Sequence, residues 1–152
     1  MAISSTSLSA VSARNWLLVI VSDAAEFPSG CRFGAMVYRR KLLVLDKAHQ
    51  LFVDINRVVP GLRQSHLQPL KRQLVKSALS TRSNIAEGRT KHSQREFLRF
   101  LEIALGSAGE LQYQLKAAID CNAIARVEGS ELAERAEEVA KMTQGLIRKD
   151  QG

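Results

Sequence analysis

Gln73-Leu-Val-Lys-Ser-Ala-Leu-Ser-Thr-Arg-Ser-Asn-Ile-Ala-Glu-Gly88, with Ser93-Gln-Arg-Glu96 five residues on, decides the fold. The first stretch has the pattern of the closing turns of an amphipathic helix. It passes through a polar cluster, Ser80, Asn84 and Glu87, and stops at Gly88, a residue suited to the left-handed position just past a helix end. Ser93 and Glu96 have the spacing of a capping box, in which each side chain bonds the other's backbone N–H. A second helix is predicted to follow at once. Helix, glycine, short basic loop and capped helix together form an αα-hairpin.

Outward from this hairpin the periodicity stays helical. Leu45, Ala48, Phe52, Ile55 and Val59 are spaced 3-4-3-4 and make one stripe, with Val44, Leu51 and Val58 beside it. Pro60-Gly61 ends this helix. After a loop to about Ser65, Leu67, Leu70, Leu74, Ala78 and Ile85 share a face, with Pro69 near the first turn, where a missing N–H is tolerated. The third helix is predicted over about Gln94 to Cys121. Its residues Phe97, Leu101, Ala104, Ala108, Leu111, Leu115 and Ala118 form a strict a/d seam. Leu98, Phe100, Ile103, Leu105 and Ile119 lie off that seam, so the helix is either central in the bundle or meets another subunit. Gly106 and Gly109 within it suit close approach of another helix backbone, or are merely tolerated at about 1 kcal/mol each. Ser130 is the expected cap of a fourth helix to about Lys149, with Leu132, Ala136, Val139, Met142 and Leu146 inward. The fold class is therefore all-α, an antiparallel up-down-up-down four-helix bundle over residues 36–152.

Residues 1–35 do not share this patterning. Met1–Ala13 is Ser- and Ala-rich, and Trp16-Leu-Leu-Val-Ile-Val21 is far short of the roughly 20 residues that span a bilayer. A secretory leader needs a basic start, and Met1–Ala13 holds no Lys or Arg. The segment is expected to be an extension, disordered or upstream of a natural start at Met36. The alternative is a strand or appended helix at Trp16–Val21.

Net charge is +7, unevenly placed. Residues 36–95 hold thirteen basic and three acidic side chains, whereas residues 96–152 hold seven and ten. Such asymmetry points to a surface facing a polyanion, or to basic and acidic helices that neutralise one another within or between subunits. The candidate phosphate-binding cations are Arg39, Arg40, Lys71, Arg72, Lys76, Arg82, Arg89, Lys91, Arg95 and Arg99. Aromatics are few, at 5%, so structured RNA or duplex gripped by its backbone suits the chain better than a stacked single strand.

Chemistry has little to stand on. A di-iron bundle needs paired Glu-x-x-His motifs, and the nearest feature is a single Asp46-Lys-Ala-His49. No phosphate loop, deaminase cysteine pair or nucleophile motif is present. Cys31 and Cys121 have no metal or redox spacing and are expected as two thiols in a reducing compartment. No catalytic, cofactor or metal site is expected. The polar cluster Ser80, Asn84, Glu87, Gly88, Ser93 and Glu96 is predicted to be a hydrogen-bonded clasp. In it Asn84 bonds the loop backbone and Glu87 pairs with Arg89, Arg95 or Arg99; its rival is a recognition site at the bundle end.

Gln73, Lys76-Ser77-Ala78, Ser80, Asn84-Ile-Ala-Glu-Gly88, Ser93, Glu96-Phe97, Phe100-Leu101, Ile103-Ala104, Gly106-Ser107 and Glu110-Leu111 resemble the four-helix-bundle family named for proteins encoded in 23S rRNA intervening sequences. Tyr38-Arg-Arg-Lys-Leu-Leu-Val44 and Lys47-Ala48-His49 resemble its start. The resemblance runs from about Met36 to Leu146, with no counterpart for residues 1–35. It implies a cytoplasmic homopentamer with a central channel; the absence of catalytic motifs and of a membrane-length apolar run makes a non-enzymatic chain with no membrane partner the expectation. A more distant resemblance, to the accessory variability determinant of diversity-generating retroelements, suggests structured RNA or DNA and a reverse transcriptase as partners. The competing class is a protein-binding assembly module with no nucleic-acid role.

Overall fold

A computed structural model describes residues 32–62 and 65–151. The expectations for Trp16–Val21 and Cys31 lie outside them. The chain divides into two compact units, 1–38 and 39–152, and the second holds the bundle. Four long helices account for most of the described residues: α1 (Arg32–Val58), α2 (Gln68–Arg89), α3 (Gln94–Asp120) and α4 (Arg126–Gln151). Helix α1 begins ahead of Met36. Short 3-10 turns at Val59–Gly61 and Ser65–Leu67 join α1 to α2. There is no strand among the described residues.

α3 packs against α2 on one flank and α4 on the other. The antiparallel course is visible in single contacts. Ser77 and Ser80 of α2 meet Glu110 and Ser107 of α3. Lys47 of α1 reaches Glu138 of α4, and Asp54 of α1 reaches Arg135. The fold is the up-down-up-down bundle that the periodicity predicts.

The a/d seam of α3 is wholly inside: Phe97, Leu101, Ala104, Ala108, Leu111, Leu115 and Ala118 are all buried. From α1 the core takes Val44, Ala48, Leu51 and Ile55, one line drawn from both predicted stripes, while Leu45, Phe52, Val58 and Val59 pack at its edge. From α4 come Leu132, Ala136, Val139 and Leu146, joined by Ile147. Two buried hydroxyls, Thr81 and Thr143, donate to the carbonyls of Ser77 and Val139 one turn back, so neither is left unsatisfied.

Three helix ends differ from expectation. Gly88 has no positive φ; α2 continues through it to Arg89 and stops at Thr90, whose N–H and hydroxyl both donate to the Glu87 carbonyl. Glycine suits the close approach there, since a Cβ would stand 3.1 Å from the Cβ of Phe100, a tight contact. Ser93 is the N-cap of α3 in extended conformation, yet its side chain makes no cap bond; both it and Glu96 are exposed, so the capping box does not form. Ser130 caps nothing, because α4 starts a turn earlier at Arg126. That early start gives α4 an extra turn, whose Gly129 packs against Ile119 and Ile124.

Candidate functional site

Part of the candidate set lies on the α2–α3 pair, divided between a hydrogen-bonded seam and a basic turn. The hydrogen-bonded part is a seam between the helices. Asn84 donates through Nδ2 to the Ser80 carbonyl at 2.8 Å and to Ser80 Oγ at 3.2 Å. The two hydroxyls of Ser80 and Ser107 stand 2.9 Å apart, and Ser107 donates to the Ile103 carbonyl. One turn along, Ser77 donates to Glu110 at 3.4 Å. Asn84 therefore bonds back along its own helix, not to the loop, because at the helix surface a side chain meets its neighbour four residues earlier. This seam ties α2 to α3 through hydroxyls. Ser107 and Glu110, which the sequence reading left out of the cluster, belong to it; their 3-residue spacing opposite Ser77 and Ser80 was the available signal.

Asn84→Ala removes both Nδ2 bonds while leaving Ser80 and Ser107 in reach of each other. The expected loss is about 1 kcal/mol, read as a fall of about 3–6 °C in melting temperature. An unchanged melting curve would show that the seam contributes nothing to the fold.

Glu87 pairs with Lys91 one turn on, at 3.2 Å. Lys91 also lies over the Phe100 ring, 4.8 Å from its centroid, an attractive placement for an ammonium. Around it, Arg89, Lys91, His92, Ser93 and Gln94 line a shallow depression of about 250 Å³, floored by Gly88 and Phe97. Arg95 and Arg99 are exposed on the first turns of α3. This hairpin end is where the basic candidates gather.

The others are elsewhere. Arg82 is half-buried and turned toward α1, its guanidinium 5.9 Å from the Phe52 ring centre and its Nε buried without a hydrogen bond. Lys71, Arg72 and Lys76 sit at the start of α2; Arg72 is about 25 Å from Arg89 at 1.5 Å per residue. Arg39 and Arg40 belong to the early turns of α1, with side chains outside those described. The ten candidates thus do not form one patch.

Cys121 is an exposed free thiol at the end of α3. No group of three or more His, Cys, Asp or Glu that could hold a metal occurs among the described residues. Nor is any described helix long and apolar enough to cross a membrane. What remains is a class: an all-α four-helix bundle whose polar features are a hydroxyl seam and a basic turn.

The chain belongs to the 23S rRNA-intervening sequence protein family, whose pattern it matches over residues 40–145. No curated protein matches the chain. Among solved structures it is similar to a protein of unknown function from the S23 ribosomal protein family of Bacteroides thetaiotaomicron. The two share 27% identity and a TM-score of 0.64, covering 68% of this chain and 97% of that one.

Proposed function

We propose that this chain is a non-enzymatic, self-assembling cytoplasmic bundle that holds structured nucleic acid by its phosphates at the α2–α3 turn. The observation that carries the nucleic-acid reading is the open depression lined by Arg89, Lys91 and His92, with Arg95 and Arg99 exposed on the following turns of α3. Nothing in that depression suits base stacking: Phe97 is buried, and the Phe100 ring is covered by Lys91. Contacts of this kind position a backbone without reading sequence. Self-assembly, as a homopentamer, is what the family resemblance implies. It fits the outward apolar side chains Leu79, Ile103 and Tyr113, which one copy leaves exposed.

Fluorescence anisotropy of the full chain with a labelled RNA hairpin and a labelled duplex, across a salt series, tests the nucleic-acid reading. Four cations meeting phosphates predict a log–log salt slope near −3.6, or about a 100-fold loss of affinity between 50 and 200 mM salt. Arg95→Glu with Arg99→Glu is expected to abolish binding to both. Absence of binding at low salt, or binding indifferent to salt, would remove nucleic acid as the partner and leave an assembly module.

A further inference from the structure

Away from the hairpin end, two exposed surfaces of unlike character flank α3. One is the outer edge of α2, carrying Arg72, Lys76 and the half-exposed Leu79. Neither cation has a carboxylate partner among the described residues, and α2 as a whole holds five cations against the single carboxylate of Glu87. The other is a groove of about 540 Å³ between α3 and α4, floored by Gly109, Ile119 and Ala133 and walled by Tyr113, Glu134 and Glu137. Tyr113 is 79% exposed at its lip. Nothing approaches within 4 Å of where a Gly109 Cβ would be, so the groove floor is open.

The groove side of α4 is acidic. Between Arg126 and Glu138 this helix carries five carboxylates and two cations. Arg135 and Glu138 are engaged with Asp54 and Lys47 of α1, on the opposite flank. Among the described residues that leaves Glu128, Glu131 and Glu134 without a cation partner, with Glu137 paired to Lys141 of its own helix. Lys116 also lines the groove, against the two carboxylates of Glu134 and Glu137.

The levels of these residues along the bundle agree. The contacts of Ser77 with Glu110 and Ser80 with Ser107 fix α2 against α3. They set Arg72 level with Leu115 and Lys76 level with Leu111. The closeness of Gly129 to Ile119 fixes α4 against α3 and sets Glu134 level with Gln114 and Glu137 level with Leu111. At 1.5 Å rise per residue, Arg72 and Glu134 share a level within about one residue, as do Lys76 and Glu137. Both α2 and α4 run opposite to α3, so the two pairs match in the same direction. A copy turned about an axis along the helices, with no shift along it, meets both pairs together.

We infer that the α2 edge of one copy docks in the α3–α4 groove of a second copy of this chain, Arg72 and Lys76 facing Glu134 and Glu137 and Leu79 covering Gly109 and Tyr113. The inference rests on the self-assembly reading and names its interface. The two surfaces are different patches, so the contact is heterologous, and the absence of a shift along the axis is what a closed ring, as opposed to a filament, requires. Exposed ion pairs are weak singly, so the charges select the register while the apolar contacts around them hold it. The start of α2 is thereby occupied by a neighbour, which leaves the hairpin end as the basic surface open to other partners.

The test is the mass of the full chain by light scattering and native mass spectrometry, with circular dichroism to confirm helicity. The wild type is expected to assemble beyond a dimer. Arg72→Glu with Lys76→Glu, and separately Glu134→Lys with Glu137→Lys, are each expected to raise the concentration needed for assembly by at least about tenfold. All four together are expected to restore it. A wild-type assembly indifferent to either pair, or a helical quadruple variant that stays dissociated, overturns this interface while leaving self-assembly standing. A wild type that is monomeric at every accessible concentration overturns both.

Discussion

Truncating Leu111 to Ala is expected to lower the unfolding free energy by about 2–5 kcal/mol. Leu111 lies at the middle of the α3 seam, fully buried, on the helix that packs against both α2 and α4. The loss has two parts: the transfer free energy of the removed atoms, and the cavity that three close-packed helices cannot collapse to fill. Against a total of roughly 5–15 kcal/mol for a domain, this is a large share. Ile103→Ala on the same helix is the control. Ile103 is 43% exposed and faces outward, so a single copy loses little when it is cut back. Urea unfolding at a concentration too low for assembly should show a lower midpoint for Leu111→Ala at unchanged slope, and a nearly unmoved one for Ile103→Ala. Equal effects at the two positions would mean that the burial pattern of α3 is wrong.

That contrast also marks what the sequence made legible. A strict 4-3 alternation needs no tertiary knowledge, and all seven a/d positions of α3 are buried. The pattern is less sharp elsewhere because a stripe drawn from several positions has two edges. On α1 the true core line takes Ala48 and Ile55 from one predicted stripe, Leu51 and Val44 from the other. Helix ends were read least well, since caps depend on where the chain turns next. Ser93 stands at the right place yet makes no cap bond through its side chain, and the space at Gly88 is narrowed by Phe100 across the turn. Such a steric demand joins residues of two helices and leaves no local pattern. The candidate cations show the same limit. Composition located an excess between residues 36 and 95, but only helix length separates Arg72 from Arg89, and only the packing of Phe52 turns Arg82 toward α1.

The expected outcome at Gly129 follows from that same non-local demand. By helix propensity alone, Gly→Ala within α4 should stabilise by about 1 kcal/mol. At Gly129 the sign is expected to reverse. A Cβ there would stand 2.5 Å from Cγ1 and 2.9 Å from Cδ1 of Ile119, distances that no real contact tolerates. Cγ1 is next to the branch point, not at the flexible tip, so relief needs rotation of the whole Ile119 side chain or displacement of the α3–α4 turn. Overpacking of this kind costs about 1–3 kcal/mol, enough to cancel the propensity gain and leave a net loss. Gly145 lies on the same helix with nothing within 4 Å of its would-be Cβ, and Gly106 is similarly open on α3. Gly145→Ala and Gly106→Ala are therefore expected to raise stability, and Gly129→Ala to lower it, in parallel thermal and urea unfolding. Three glycines that propensity ranks alike would then split by sign according to the space each faces. A stabilised Gly129→Ala would mean that Ile119 is not seated over the first turns of α4, and with it the α3–α4 register that aligns Glu134 and Glu137 with Arg72 and Lys76 would fall.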